Sequence, residues 1–442
     1  MNVSLQYGIG GRTASALAQS AERAIMEGRL PPGGVLPSVR ALADALGISA
    51  ATVAAAYRTL RVRGLVAGEG RRGTRVVLRP PLRLRRPPVV TPGARDLAEG
   101  NPDPAWLPDL RSALRRAPGP SGLYGRPSFL PALRTLSARQ LGQDDIPTAS
   151  LAVVGGAMDG VERVLQAHLR PGDRIAVEDP GYAGVLDLVG AMGLVPQPVP
   201  LDDFGVRPEA LESALAAGAR AVVLTPRAQN PAGAAFDEDR ARALRTILDR
   251  HPEVLLVEDD HAGPVAGTPA LTLAHARKAR WAVVRSVSKS LGPDLRLAIL
   301  AGDATTVARV EGRQALGAGW VSHVLQAAVA SLWASAATDR RLRDAARSYT
   351  RRRRALVDAL ARHGLRAHGR SGFNVWIPVR EEAATIAGMA AAGWAIRAGE
   401  PYRIQSPPAV RITVSSLTLE EVPHVAAALA DTQSARGRTP AA

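Results

Sequence analysis

Cysteine is absent from the 442 residues, which removes disulfides, thiolate metal sites and thiol nucleophiles together. No metal centre is expected. Nowhere do about 18 apolar residues run together, and the opening Met1-Asn2-Val3-Ser4-Leu5-Gln6-Tyr7 lacks a basic segment followed by an apolar stretch. Neither membrane insertion nor export is indicated, and the cytoplasm is the expected compartment. Lysine is the other scarcity: the 56 basic residues include only Lys278 and Lys289.

What is present is a long chain, 46% hydrophobic, with a formal charge of +16. That length predicts two or three domains. The charge is unevenly spread, because residues 1–95 hold fifteen Arg against four acids, Glu22, Glu27, Asp44 and Glu69. An arginine-rich genome explains Arg over Lys but not this clustering, which points to a nucleic-acid-binding segment attached to a more neutral body.

A helical pattern from Thr13 to Glu27 carries Leu17, Ala21 and Ile25 on one face and ends at Gly28. Ser38 is placed to cap a second short helix with Leu42 and Leu46 on its apolar side, closed by Gly47. Ser49 then caps a third, with Thr52, Val53, Tyr57 and Leu60. Two helices joined so tightly predict a helix-turn-helix. The extended runs between Leu65 and Val77 flank Gly68-Glu69-Gly70-Arg71-Arg72-Gly73, a basic hairpin suited to serve as a wing. From Arg79 to Pro92, five prolines and four arginines without periodicity predict an extended connector. The expected boundaries are 1–78 for the head, 79–95 for the linker, 96–432 for the body and 433–442 for a disordered tail.

Beyond the linker, β-rich runs at Leu151–Val154, Arg174–Val177, Ala221–Leu224, Val254–Val257 and Ala282–Arg285 alternate with helical stretches. The expected fold class is α/β, a mostly parallel sheet covered on both faces, with ligands at the carboxyl ends of its strands. Gly155-Gly156-Ala157 follows the first strand and opens a helix, a weak phosphate signal by itself. Tyr182 follows the second strand, placed either to stack on a ring or to fill the core. Asn230, in a Pro-Gly turn, follows the third, and Asp259 ends the fourth.

Lys289 lies in Ser286-Val287-Ser288-Lys289-Ser290-Leu291-Gly292-Pro293-Asp294-Leu295-Arg296. An amine can lose its proton and condense with an aldehyde, which arginine cannot do. With two hydroxyls before it and Arg296 after it as phosphate partners, the segment points to a Schiff base with pyridoxal 5′-phosphate. Lys278, in Ala276-Arg277-Lys278-Ala279-Arg280, reads as a solvated surface lysine.

The stretch from Leu30 to Ala43 followed by Gly47-Ile48-Ser49-Ala50-Ala51-Thr52-Val53 resembles the GntR-type winged helix. That resemblance implies DNA contact by Arg40, Ser49, Thr52 and the wing region of Gly70 and Gly73. Ala50 departs from it, standing where a basic residue is usual. Arg58, Arg61 and Arg63 read either as phosphate contacts or as a solvated helix face. Residues 96–430 resemble the aminotransferase-like fold-type-I domain. By that resemblance Gly156, Ala157, Ser286, Ser288 and Arg296 hold the cofactor phosphate, Tyr182 stacks, Asn230 meets the ring hydroxyl, Asp259 pairs with the ring nitrogen and Lys289 forms the Schiff base. Tyr124 matches the tyrosine that reaches the phosphate of the partner subunit, and Arg411 the arginine that binds a substrate carboxylate, a structural salt bridge being its alternative. His261 stands where the family has tyrosine, still able to donate to the phenolic oxygen but with a charge that changes near neutrality.

The two parts together resemble the MocR family of transcriptional regulators. The resemblance implies a dimeric, pyridoxal-phosphate-dependent regulator that binds an operator in duplex DNA and senses an amino acid, an amine or the cofactor itself. A working aminotransferase with a DNA-binding head is the first rival; a DNA-binding protein that keeps a degenerate enzyme domain only for dimerisation is the second.

Overall fold

The structure is a computed structural model that describes residues 9–26, 29–31, 33–68, 73–77, 93–117 and 123–434. Glu27 and Gly28 at the first helix end, wing residues 69–72 with Gly70, residues 79–92 of the expected linker and 435–442 of the expected tail lie outside the described residues, whereas Arg95 of that linker belongs to a strand and Gln433 and Ser434 of that tail close the last helix. The chain divides into two compact units, one built around the first 86 residues and one around most of the remainder.

In the first unit, side-chain oxygens fix where the helices begin. After α1 (Ala14–Met26), Ser38 Oγ accepts from the Ala41 N–H at 3.2 Å to open α2 (Val39–Leu46), which Gly47 closes with φ 62. That left-handed geometry is open to glycine at little cost. Ser49 Oγ accepts from the Thr52 N–H at 3.1 Å to open α3 (Ala50–Val62). Leu17, Ala21, Leu42, Val53, Tyr57 and Leu60 bury one another between these helices, and the Tyr57 hydroxyl donates to Pro37 O at 2.8 Å. Strands β1 (Val66–Gly68) and β2 (Thr74–Val76) pair antiparallel, with Val66 opposite Val76. Arg58 and Arg61 are exposed, but Arg63 fits neither expectation for it. It is largely buried in an ion pair with Glu22 of α1, tying the end of α3 to the first helix.

In the second unit the strands are β3 (Arg95–Asp96), β4 (Leu151–Val154), β5 (Arg174–Asp179), β6 (Val195–Asp202), β7 (Gly205–Val206), β8 (Ala219–Leu224), β9 (Leu255–Asp260), β10 (Trp281–Ser286) and β11 (Ala298–Gly302). Eight of them form one sheet in the order β4-β11-β10-β9-β8-β5-β6-β7. Strands β5, β8, β9 and β10 run parallel, and β11 lies antiparallel between β10 and β4. Helices including Ala157–His168 and Glu238–Asp249 connect the parallel strands, as crossover geometry requires. A smaller sheet joins β12 (Asn374–Pro378), β15 (Ala409–Thr413) and β14 (Arg397–Ala398), while β13 (Trp394–Ala395) pairs with β3.

The five expected strands are all present, and β9 extends past Val257 to Asp260, so that Asp259 sits inside it. Three strands of the sheet were not expected. Strand β6 contains Pro196, Pro198 and Pro200, each lacking the N–H that a ladder uses. Their spacing of two puts every missing N–H on one edge, and the N–H of Val195, just before them, donates to Asp173 O at 2.8 Å. Lys278 also corrects its expectation: it is buried, its Nζ donates to Leu248 O at 3.2 Å, and burial lowers its pKa.

Candidate functional site

The carboxyl ends of the parallel strands bring charged groups together out of water. Asp259, next to last in β9, is buried, and its Oδ1 has no hydrogen-bond partner among the described residues. Burial, reinforced by the charges of Asp260 and Glu178, pushes its carboxyl up to about 7. An unpartnered buried carboxylate is costly. It fits a cationic N–H donor such as a protonated pyridine nitrogen, which is the fit required of pyridoxal phosphate.

Lys289 follows β10, and its Nζ donates to Gly100 O at 2.6 Å. Burial and the nearby Arg411 charge push its pKa down to about 8, so a useful fraction is free amine near neutrality. Ser286 and Ser288 place their hydroxyls 2.9 Å apart just before it. Gly156, with φ 110, precedes the helix that Ala157 begins. A side chain there would meet the Arg296 guanidinium at 3.4 Å, so Gly156, Ala157 and Arg296 share one place. Arg296 itself has φ 44, and no bonding partner among the described residues. Free helix N–H groups beside an uncommitted guanidinium suit a phosphate.

Arg411, on β15, is buried; Nη1 donates to Asn230 Oδ1 at 2.9 Å, Nη2 to Ala98 O at 2.5 Å, and Nε has no partner. Its guanidinium lies 5.1 Å from the Tyr402 ring centre. No carboxylate pairs with it among the described residues, which removes the structural salt bridge as its explanation. Tyr182 is 37% exposed, so it is not the core tyrosine of the alternative reading. Tyr124 is 90% exposed, its ring edge-on to Trp320 at 5.6 Å. In the other unit, Arg40, Ser49, Arg58 and Gly73 are exposed and Thr52 half-buried, its hydroxyl 2.8 Å from that of Ser49.

His261 overturns its expectation. Its Nε2 lies 2.8 Å from the Ala228 carbonyl, which only accepts, so Nε2 carries the proton and is committed there. Burial and the Lys289 charge push the pKa down to about 4. The ring is neutral around pH 7, and its charge does not change near neutrality.

The residues that sequence reading missed stand beside those it found. Asp260 is opposite Arg285 in the β9–β10 register and forms ion pairs with Arg285 at 2.6 Å and Arg227 at 2.8 Å. Glu178 accepts from the Thr225 N–H and hydroxyl, both at 2.9 Å, and from Gln229 Nε2 at 3.0 Å. An arginine in an otherwise apolar run, Ala282-Val283-Val284-Arg285, was the available signal.

Comparison with known proteins agrees in both units. The pattern of aminotransferase class I and II matches residues 94–429, and that of bacterial regulatory proteins of the gntR family matches residues 13–76. The chain is 40% identical to the vitamin B6 salvage pathway transcriptional repressor PtsJ of Salmonella typhimurium, over 95% of this chain and 98% of that protein. It is 31% identical to the pyridoxine biosynthesis regulator PdxR of Corynebacterium glutamicum, over 78% of each chain. Among solved structures, the kynurenine aminotransferase of Pyrococcus horikoshii aligns with a TM-score of 0.72 at 22% identity, covering 78% of this chain and 92% of that one. The gntR segment implies DNA binding, and the fold of the second unit is typically dimeric. The chain therefore belongs to the MocR-type transcriptional regulators, in which a gntR-family DNA-binding segment is joined to an aminotransferase-like domain dependent on pyridoxal phosphate.

Proposed function

We propose that this regulator reads the supply of vitamin B6, with pyridoxal phosphate as effector as well as ligand. The observation that carries the reading is Asp259, a buried carboxylate whose Oδ1 has no partner. When bound, the cofactor supplies an aldehyde that condenses with amines and a ring that withdraws electrons. Lys289 provides the attacking amine, and Asp259 holds the proton on the ring nitrogen. Gly156, Ala157, Ser286, Ser288 and Arg296 take the phosphate, Asn230 faces the ring hydroxyl and Tyr182 covers the ring. His261, its Nε2–H given to Ala228, lines the pocket as a neutral group. The names of PtsJ and PdxR, both tied to vitamin B6, favour the cofactor over other effectors.

The protein acts as a homodimer in the cytoplasm. Tyr124 and Trp320, exposed apolar rings in contact, belong at the subunit interface, where Tyr124 reaches the partner subunit's cofactor phosphate. Residues 1–78 form the DNA-binding head and 96–432 the cofactor-binding body, joined by the linker. Arg40, Ser49, Thr52, Arg58 and Gly73 face operator DNA.

The test is binding of the full-length protein to DNA from upstream of its own gene, with pyridoxal phosphate, pyridoxal or pyridoxamine phosphate. Only a ligand that distinguishes two arrangements can shift an equilibrium between them. Pyridoxal phosphate should change DNA affinity, whereas pyridoxal lacks the phosphate and pyridoxamine phosphate lacks the aldehyde. Lys289→Ala should lose the borohydride-fixable attachment. Arg40→Ala should weaken DNA binding without altering it, and log affinity should fall with log salt by about 0.9 per phosphate neutralised. Equal DNA affinity in cofactor-free and cofactor-loaded protein would sink the reading.

A second reading is favoured by the unpartnered Nε of Arg411: a carboxylate-bearing amine as co-effector. Arg411→Ala should abolish any response to amino acids while sparing cofactor binding. Keto-acid production at tens per second, within the ordinary range of enzymes, would make the protein foremost an aminotransferase.

A further inference from the structure

Successive residues of a strand face opposite sides of the sheet, so Asp260 points away from the side served by Asp259. On its side, Arg285 donates from Nε to Asp260 Oδ2 at 2.6 Å, from Nη2 to Asp144 Oδ2 at 2.6 Å and from Nη1 to Gln140 O at 3.2 Å. Arg227 donates from Nε and Nη2 to Asp260 at 2.9 and 2.8 Å, and from Nη1 to Thr268 O at 3.1 Å. Its Nη2 also lies 3.5 Å from Asp144 Oδ2. A guanidinium has five N–H groups. Among the described residues these bonds occupy three on Arg285 and four on Arg227, leaving three on two buried cations.

Both arginines line a cleft of about 520 Å³. The volume is that of a small-molecule site. Within the network two guanidinium groups balance Asp260 and Asp144, so attraction for a further charge comes from the mouth. There Arg139 and Arg343 are exposed with no bonding partner among the described residues, opposed by Asp339 alone among the other lining residues. Gln140 and Gln143 add amide groups to the wall. Arg139 and Arg343 thus line one cleft with two buried guanidinium groups that keep unused N–H groups, a donor set of the kind that takes a tetrahedral oxyanion.

We propose that this cleft is a second ligand site, distinct from the cofactor pocket, that takes a small phosphate-bearing anion and is coupled to the cofactor through Asp260. An anion that draws donors from Arg227 and Arg285 loosens their neutralisation of Asp260. The fuller negative charge is then felt at Asp259, one residue away on β9. The coupling rests on Asp259 serving the cofactor ring; the anion site does not.

The test uses full-length protein loaded with pyridoxal phosphate and reduced with borohydride, so that the cofactor phosphate cannot leave its place. Inorganic phosphate and glycerol 3-phosphate are titrated calorimetrically against wild type and the Arg139→Ala/Arg343→Ala variant, with chloride at matched ionic strength as control. Wild type should bind one anion per chain saturably, and the surface variant at least tenfold more weakly, with unchanged melting temperature and cofactor loading. Absence of saturable binding, equal binding by the variant, or an equal response to chloride overturns the site. Fluorescence of the fixed cofactor should shift with phosphate in wild type and not in Asp259→Asn; binding without that shift overturns the coupling alone. Failure of the Lys289 assignment shows earlier, as failure to fix cofactor, and the two proteins are then compared cofactor-free, with the same difference expected.

Discussion

Asp259 and Asp260 are neighbours on one strand, both buried, yet their acidities are driven in opposite directions. Burial alone would raise both. At Asp260 the charges and hydrogen bonds of Arg227 and Arg285 overcome it and hold the carboxyl far below the usual carboxylate range. Asp259 has no such partners and rises to about 7 under burial and the repulsion of Asp260 and Glu178. The difference separates two kinds of buried charge. One is completed by the chain, and the other is left without a partner among the described residues.

The largest effect should come from breaking the completed side. Replacing Arg285 with Met leaves Asp260 with one of its two cationic partners, and removing a member of a buried pair costs about 3–5 kcal/mol. Chemical denaturation of cofactor-free protein should show that loss, and a variant as stable as wild type would mean the network contributes little. Asp259→Asn should do the reverse. Cofactor-free protein should lose no stability, whereas cofactor affinity should fall by about 1.5–3 kcal/mol, the worth of a hydrogen bond to a charged group, or about ten- to 150-fold. Equilibrium dialysis measures it, and unchanged affinity would remove Asp259 from the cofactor site.

A pH series sharpens the contrast further. Asp259 has a folded pKa above its unfolded value, so its contribution is fully present below about 4 and is lost as pH rises through about 7. Glu178, which burial also pushes up to about 7, acts in the same direction. A cationic ring nitrogen relieves this cost at Asp259. The rise in melting temperature caused by cofactor should therefore grow from about pH 4 to about 7 in wild type, the window between the unfolded and folded values of Asp259, and grow less in Asp259→Asn. Parallel curves for the two proteins would contradict the assignment.

The smallest effect concerns His261. With its pKa pushed down to about 4, its folded-state contribution is present above the unfolded histidine value and is lost as pH falls toward 4. Between pH 6 and 8, roughly the range in which an unperturbed histidine titrates, the cofactor spectra of wild type and His261→Tyr should differ by a constant offset. A wild-type transition near 6.5, the unperturbed value, absent from the variant, would show that the Ala228 hydrogen bond and burial do not hold the ring neutral.

The head was legible where local chemistry decides. Ser38, Gly47 and Ser49 announce helix ends because a short oxygen-bearing side chain or a glycine meets a need of the adjacent backbone. Lys289 stood out because arginine cannot lose its proton to become a nucleophile, and Asp259 because it falls at the expected end of the fourth strand. Lys278 was misread because the residues around it are charged, while its burial depends on packing near Leu248, thirty residues away. Arg63 was misread for a similar reason, since Glu22 reaches it from another helix.

Residue type and order determined a helix-turn-helix and a mostly parallel sheet, and singled out one amine and one carboxylate as candidates. Each follows from periodicity, capping or functional-group chemistry within a short span. The tertiary structure decided which carboxylate has partners, that His261 gives its proton to Ala228, that Arg411 is buried with no carboxylate paired to it among the described residues and that Arg227 and Arg285 line a cleft. Those outcomes depend on desolvation and on register between strands distant in sequence, as between Asp260 and Arg285, and a one-residue slip in that pairing would separate the charges.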